Sequence, residues 1–230
     1  MRKKRDLRSE RRRQRWEEYK MDILHAAEDV IIKKGTSALT MDDVARGAQF
    51  SKATIYRYFR SKGELIFEII VHYYDEIIDN LLRIQKKNIR ATEKLREAIR
   101  FALQFSENKK NISRVLLMDK SFPKFFRFFM GDAQKNVSAP DKKLFQMLRV
   151  RSRELLEAGS GIIKEGIASG EFRPMNVMGA VTFLEAALQG YLHGEMWHQK
   201  KHNLEEETEL IHGFFLHGII NKETDKGELR

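Results

Sequence analysis

Cysteine is absent from this chain of 230 residues. Its absence excludes disulfide bonds and thiol catalysis, and it is typical of proteins kept in a reducing cytoplasm. Proline is scarce, with three residues in the whole sequence, and no Asn-Gly pair marks a hairpin turn. Apolar residues recur at three- and four-residue spacing and do not alternate, so the sequence predicts an all-α fold.

The sequence also lacks a long apolar run. No run approaches the roughly 18 residues needed to span a bilayer, and no apolar segment of a secretory signal follows the basic N-terminus. A Gly-rich phosphate loop, a Gly-x-Ser-x-Gly elbow and a His-Glu-x-x-His motif are all missing. We therefore expect a cytoplasmic protein with no membrane partner, no enzymatic activity and no cofactor.

Positive charge is concentrated at the N-terminus. Residues 1–16, MRKKRDLRSERRRQRW, hold nine cations and two anions and so carry +7 of the chain's net +10. A basic arm on a nearly balanced body indicates a polyanionic partner. Two other interpretations stay open: the arm is simply a solvated tail, or it binds anionic lipid.

The region after the arm predicts two helices. Apolar residues from Trp16 to Ile31 share one helical face, and Gly35 is placed to end that helix. Thr40 then has capping-box spacing to Asp43, at the start of a helix of about two turns. So short an element is stable only when it packs against its neighbours.

Two further helix starts follow closely. Ser51 is a suitable N-cap for the stretch SKATIYRYF, in which Ile55 and Phe59 point one way and Tyr56 and Arg57 the other. Ser61 and Glu64 have capping-box spacing at the start of a long helix that continues to about residue 84. The third helix is therefore predicted to be anchored from behind and polar in front.

Five more helical segments are predicted in the rest of the chain. They cover about residues 92–105, 112–118, 138–168, 176–199 and 204–220, with Gly170 closing the third of these. The Phe-rich stretch SFPKFFRFFMG, residues 121–131, is ambiguous. The last residues, NKETDKGELR, are predicted to fray.

The stretch GTSALTMDDVARGAQFSKATIYRYFRSKGELI, residues 35–66, resembles the DNA-binding domain of the TetR family of bacterial transcriptional repressors. The similarity rests on Gly35, on Thr40, on Val44-Ala45 and above all on SKATIYRYFRSKGEL. At the turn, Ala48-Gln49-Phe50 replaces the family's usual Ala-Gly-Val. Gln49 would then occupy a left-handed backbone position at some cost, because glycine is favoured there. Gly63 stands where Glu is common, which slightly weakens the start of the long helix.

The resemblance implies a set of DNA contacts on the helix-turn-helix face. They are Thr40, Lys52, Ala53, Thr54, Tyr56, Arg57, Tyr58 and Lys62. Elementary chemistry suggests separate roles: Arg57 can bond guanine O6 and N7 in bidentate fashion, and the Tyr56 hydroxyl and Lys62 suit phosphates. For each residue the alternative is an ordinary surface side chain, or for Tyr58 a core aromatic.

The resemblance also implies a homodimer and an effector pocket enclosed by the middle helices. The predicted domains are a basic arm (1–16), a helix-turn-helix domain (17–62), a helical regulatory and dimerisation domain (63–222) and a tail (223–230). Small and aromatic residues predict the dimer interface, namely Ala186, Ala187, Gly190, Tyr191, Gly194, Phe214, Phe215 and Ile219. Apolar and two polar residues predict the pocket: Phe105, Met118, Phe122, Phe126, Met147, Arg151, Phe183 and Glu185.

Histidines are frequent near the C-terminus, and His198 and His202 have the i, i+4 spacing that can share a metal. A third ligand is not obvious, so we expect no metal site. The favoured hypothesis is a repressor that binds a palindromic operator in double-stranded DNA as a dimer and is released by a small, largely apolar effector. The alternatives are a constitutive DNA-binding protein without effector and a basic protein that binds membrane surfaces.

Overall fold

The structure, a computed structural model, describes residues 2–35, 38–109, 139–194 and 203–219. These ranges contain eight helices. The first four are α1 (Arg2–Lys34), α2 (Met41–Gly47), α3 (Lys52–Tyr58) and α4 (Lys62–Gln85); the others are α5 (Ala91–Asn108), α6 (Ala139–Ser169), α7 (Val177–Gly194) and α8 (Leu204–Ile219). The predicted all-α fold is confirmed. The two predicted segments at 112–118 and 121–131 lie outside the described residues.

Contacts group the chain into two compact units. The N-terminal unit contains residues 1–72 and 109–145, and the C-terminal unit contains residues 73–108 and 146–230. The division falls inside α4, between His72 and Tyr73. The predicted domain boundary, between residues 62 and 63, coincides with the start of that helix.

In the N-terminal unit, α1 begins at Arg2, so the basic arm is the first half of a continuous helix of 33 residues. The second half is buried through Ile23, Ala27 and Ile31. Helix α2 lies close to α1, because a Cβ built on Gly47 would lie 3.3 Å from the Cβ of Ala26. This close approach through small residues allows α2, a helix of only seven residues, to be stabilised by packing.

Side-chain caps set where α2, α3 and α4 begin. Thr40 and Ser51 accept backbone N–H bonds of 3.1 Å from Asp43 and Thr54, in turn. Ser61 accepts a 3.1 Å bond from the Glu64 N–H. These bonds satisfy amides that a helix N-terminus leaves without intrahelical partners, so the predicted caps are confirmed.

The turn between α2 and α3 is a Schellman motif centred on Gln49. Its φ is 58°, and it is the one non-glycine residue with positive φ in the described part of the chain. The Gln49 N–H donates to Arg46 O at 3.3 Å, and the Phe50 N–H donates to Ala45 O at 2.9 Å. This pair of bonds requires the left-handed conformation at Gln49. The prediction of a strained Gln49 is therefore confirmed.

The C-terminal unit is built around an apolar cluster from five helices, α4 to α8, and the turn that contains Phe172. Its buried members include Leu95, Ile99, Ile163, Phe172 and Phe215. Beside the cluster, the buried Lys94 ammonium donates to both Glu165 carboxylate oxygens, at 2.7 and 2.8 Å. A candidate membrane-spanning helix is absent from the described ranges, because each of their helices is either too short or too polar.

Candidate nucleic-acid interface

Helix α3 has one buried and one exposed face. Ile55 is fully buried and Phe59, which caps the helix at its C-terminal end, is 1% exposed. Tyr56 is 45% exposed, and Lys52, Ala53 and Arg57 are also exposed. The division into an anchored and an outward face follows the prediction, because residues four apart lie above each other on a helix.

Lys52 is held by a carboxylate that the sequence analysis did not single out. Its Nζ lies 2.9 Å from Oδ1 of Asp42, and this hydrogen-bonded partner raises the pKa of Lys52. Both side chains are exposed, so the pair remains accessible to a ligand. Asp42 lies in the first turn of α2, so its distance to Lys52 depends on the packing of α2 against α3.

Thr40 and its neighbours form a second polar group on this face. The Thr40 hydroxyl donates to Asp43 at 2.8 Å, and Asp43 also accepts bonds from Lys34 and Arg46. The bonds from Thr40, Lys34 and Arg46, in that order, hold the pKa of Asp43 far below its usual range. Thr54 shares a 2.9 Å hydrogen bond with Ser51. The hydroxyls of Thr40 and Thr54 therefore act first as parts of helix caps.

Tyr58 is half-buried, and its partner comes from α1. Its ring stacks on Trp16 with centroids 3.9 Å apart and an interplanar angle of 27°. The Arg57 guanidinium carbon lies 5.9 Å from the Trp16 ring centre and 5.5 Å from that of Tyr58. Trp16 was predicted to lie on the inner face of α1; instead it is 39% exposed and covers the end of α3.

The remaining predicted contact, Lys62, is half-buried at the start of α4. In total, α3 with the starts of α2 and α4 brings together all eight predicted DNA contacts within the N-terminal unit. Asp42 and Trp16 also belong to this face and were not among the predicted contacts. Trp16 had a signal in the sequence, since it continues the apolar face of α1 toward the arm.

The predicted effector pocket is only partly within the described residues, since Met118, Phe122 and Phe126 lie outside them. Phe105 is half-buried and packs on Tyr73 with ring centroids 4.8 Å apart. Burial, followed by the charge of Glu185, raises the pKa of Tyr74 to about 12. Burial also raises the pKa of Glu185, against the effect of a hydrogen bond from Gln189.

The three remaining described pocket residues, Met147, Arg151 and Phe183, have different surroundings from one another. Arg151 makes ion pairs with Asp75 at 2.9 Å and with Glu154 at 2.6 Å. Met147 is half-buried on the same helix. Phe183, in contrast, is 68% exposed on α7, so its prediction as a cavity-lining residue is corrected to a surface position. Apolar residues of α7 occur both on its buried side and on its exposed side, and the periodicity of the sequence does not tell which side is buried.

The predicted dimer residues also divide into two groups. Phe214 is 76% exposed, and Ala186, Ala187 and Gly190 are exposed on α7, which ends at Gly194. Phe215 and Ile219 are 8% and 5% exposed and belong to the apolar cluster of the C-terminal unit, against which Tyr191 also packs. Phe215 and Ile219 are therefore corrected from interface to core, because they lie on the opposite side of α8 from Phe214.

Among the described residues, no group of three or more His, Asp or Glu side chains is arranged to hold a metal ion. His198 and His202 lie outside those residues. Two short helices, joined by a tight turn and packed on a third, with cations and a tyrosine exposed on the second, define a helix-turn-helix DNA-binding unit.

Comparison with known proteins identifies its family. The sequence model for bacterial regulatory proteins of the tetR family matches residues 23–69. The HTH-type transcriptional regulator YhgD of Bacillus subtilis (strain 168), itself uncharacterized, is 31% identical over 152 residues, covering 66% of this chain and 71% of that protein. The HTH-type transcriptional repressor KstR2 of Mycolicibacterium smegmatis is 24% identical over 153 residues, 66% of this chain and 67% of the relative.

The fold is shared with solved structures as well. The crystal structure of FadR from Bacillus subtilis covers 86% of this chain and 98% of its own, with a TM-score of 0.66 and 22% identity. The chain belongs to the TetR family of DNA-binding transcriptional regulators.

Proposed function

We propose that this regulator is a repressor that binds a palindromic operator as a homodimer and is released by a small, largely apolar effector. The observation that carries the DNA-binding part is the exposed face of α3, which is capped by Ser51 and anchored by Ile55 and Phe59. When the N-terminal amides of a helix are hydrogen-bonded and its apolar side is buried within the protein, its polar side is free to enter a major groove.

Arg57 is the proposed base-contacting residue, since its guanidinium can bond guanine O6 and N7. Lys52 is proposed to contact a base or a phosphate. Its ammonium group either keeps the ion pair with Asp42, which lies 2.9 Å away, or gives up that pair for the DNA. Ala53 and the Thr54 methyl are suited to thymine methyl contacts. Tyr56 and Lys62 are proposed to bond phosphates, together with the first amides of α4.

The proposed dimer rests on the exposed aromatic residues of the C-terminal unit. Phe183 and Phe214 are 68% and 76% exposed, and aromatic side chains are enriched in protein–protein interfaces relative to the rest of the surface. The small residues Ala187 and Gly190 on α7 would allow a second helix to approach closely. A dimer is also what a palindromic operator requires, because its half-sites lie about 34–36 Å apart.

The proposed effector site lies in the C-terminal unit around Tyr73, Tyr74 and Phe105. Aromatic side chains there are half-buried, and Glu185 offers one polar group with a raised pKa. A pocket of apolar walls with few polar groups is typical of small-molecule sites. The FadR structure of the same fold was solved in complex with stearoyl-CoA, which makes acyl-CoAs a reasonable first group of compounds to test here.

Release from DNA would follow if the effector binds more tightly to a conformation that does not fit the operator. Helix α4 contributes residues to both units, so we propose that it couples effector binding to the DNA-binding head.

The test begins with selection of bound duplexes from a randomised DNA library by the full-length protein. We expect a palindromic site, two subunits per site and loss of sequence discrimination in Arg57→Ala of about 1–3 kcal/mol. Arg83→Ala is the matched control, since it removes one exposed arginine from the last turn of α4. Recovery of a single non-repeated site with one subunit would contradict the proposed operator.

The effector part is tested by fluorescence anisotropy of the selected duplex during titration with fatty acids and acyl-CoAs of increasing length. We expect at least one apolar compound to release the DNA and a short polar acid of equal charge to have no effect. A panel that never changes the affinity for DNA, while the operator binds normally, would favour the constitutive DNA-binding protein instead.

A further inference from the structure

The basic half of α1 forms a groove with the recognition helix α3. The groove is open, with a volume of about 670 Å³. Its lining consists of four arginines and two aromatic residues from α1 and two residues from α3: Arg8, Arg11, Arg12, Arg15, Trp16, Tyr19, Arg57 and Tyr58. The arginines of α1 recur at three- and four-residue spacing, which places them along one side of the helix.

The described residues that line this groove include five arginines and no carboxylate. Like charges at helical i, i+4 spacing repel one another, so this arrangement is unfavourable without an anion. Guanidinium groups are planar forks that match phosphate oxygens in bidentate geometry. The groove therefore fits a ligand with several phosphates spaced along a line.

Trp16 connects this groove to the recognition helix. Its ring stacks on Tyr58 at 3.9 Å between centroids, and the Arg57 guanidinium lies within 5.9 Å of both ring centres. Cations are attracted to aromatic faces at this range, with Trp the strongest. One helical turn later, Tyr19 packs against Phe50, with ring centroids 5.1 Å apart, at the turn between α2 and α3.

We propose that residues 8–19 of α1 are a second DNA-binding element, in which Arg8, Arg12 and Arg15 bind backbone phosphates and Trp16 positions Arg57 for its base. The proposal rests on the proposed function of α3. Duplex DNA is favoured over anionic lipid because Arg57 belongs to both the groove and the exposed face of α3. In addition, Trp16 packs on Tyr58 and Tyr19 packs on Phe50, so these two aromatic side chains do not form an apolar face that could insert into lipid.

The phosphate contacts are tested by the salt dependence of affinity for the selected operator duplex. The triple variant Arg8→Gln, Arg12→Gln, Arg15→Gln should lower the slope of log K against log salt by about 2.7 per subunit, since each phosphate contact on B-DNA contributes about 0.9. The matched control replaces exposed cations outside the groove, Arg13, Lys33 and Lys86, with Gln. The control should keep most of the wild-type slope.

The positioning role is tested with Trp16→Ala and Trp16→Phe, measured on the operator and on a duplex changed at the base pair that Arg57 contacts. Trp16→Ala should reduce the discrimination between the two duplexes about 2- to 5-fold, without changing the salt slope. Trp16→Phe should restore most of it. The Trp16→Ala, Arg57→Ala double variant should discriminate no less than Arg57→Ala alone.

Three results would overturn the inference. An unchanged salt slope in the triple variant would show that the arginines are merely solvated. A Trp16→Ala protein that binds both duplexes more weakly by the same factor would show a structural role only. Strong binding of the wild-type arm to vesicles containing phosphatidylserine, with no arm effect on DNA, would assign the groove to a membrane surface. In each case operator binding by the wild type would persist, whereas failure to bind any operator would refute the proposed function itself.

Discussion

Replacing Gln49 with glycine should stabilise the N-terminal unit. Gln49 has a φ of 58°, and its side chain is exposed. The left-handed conformation costs an L-residue roughly 1–2 kcal/mol, and glycine removes that cost. Glycine also gives the unfolded chain more freedom, which offsets roughly 0.4–1 kcal/mol. We therefore expect a net gain of about 0.5–1 kcal/mol in the free energy of unfolding.

The gain can be measured by urea unfolding followed by the fluorescence of Trp16. The chain has two tryptophans, so Trp197→Phe gives a background in which the signal reports the N-terminal unit alone. Gln49→Ala keeps the strained φ and removes the side chain, and it should change stability little. Gly35→Ala is the reverse experiment: Gly35 has a φ of 77° with open space around it, so alanine should destabilise by a similar amount.

A Gln49→Gly protein that unfolds at a lower urea concentration than Gln49→Ala would contradict the prediction. That order would mean that backbone freedom in the unfolded chain, and not left-handed strain, determines stability at this turn. Equal losses in both variants would instead point to a contribution from the Gln49 side chain.

Three further predictions concern the C-terminal unit. Burial opposes ionisation of Glu171, but hydrogen bonds from Thr92 and its neighbours prevail and lower its pKa, so Glu171→Gln should cost about 1–2 kcal/mol at pH 7. In denaturant titrations that difference should disappear as the pH falls through the lowered folded-state pKa, because the native carboxylate then binds a proton; a difference that grows in acid would contradict it. Burial lowers the pKa of His212, so its stabilising contribution is complete above about pH 6.5 and is lost as the pH falls through the folded-state value. His212→Gln should therefore flatten the decline of melting temperature below that pH, and an unchanged profile would count against the assignment. Finally, Phe183→Ser and Phe214→Ser should produce monomers in light scattering while the circular dichroism spectrum stays helical; a dimer that survives both changes would locate the interface elsewhere.

Much of the fold could be predicted because its signals are local. The capping residues Thr40, Ser51 and Ser61 bond amides three positions ahead, so the same few residues contain both the signal and the contact. The strain at Gln49 was predicted from the resemblance, since Gln49 stands where the TetR family usually has glycine, and its φ of 58° agrees.

Other features depend on residues far apart in the chain. One of them is the turn SGEFRP, residues 169–174, between α6 and α7. Glu171 accepts two bonds of 3.0 Å from the Ala91 and Thr92 amides, at the start of α5. Phe172 is buried in the core, and the Arg173 N–H donates to Ile219 O at 2.8 Å. This one turn therefore connects α5, α6 and α8.

The sequence also does not predict which side of an apolar helix such as α8 is buried. Phe214 and Phe215 are adjacent in sequence and chemically identical, yet the first is 76% exposed and the second 8%. Periodicity identifies an apolar helix, but it does not say which apolar residue meets the chain's own core and which is left for a partner.

The helices, their caps and the exposed face of α3 could be predicted from the amino-acid sequence, because each depends on spacing within a few residues. The folded structure was needed to show that Asp42 pairs with Lys52, that Trp16 stacks on Tyr58 beside Arg57, and that Phe215 is buried while Phe214 is exposed. Those outcomes depend on how separate helices pack, and packing is fixed by shape and burial across distances that no local pattern encodes.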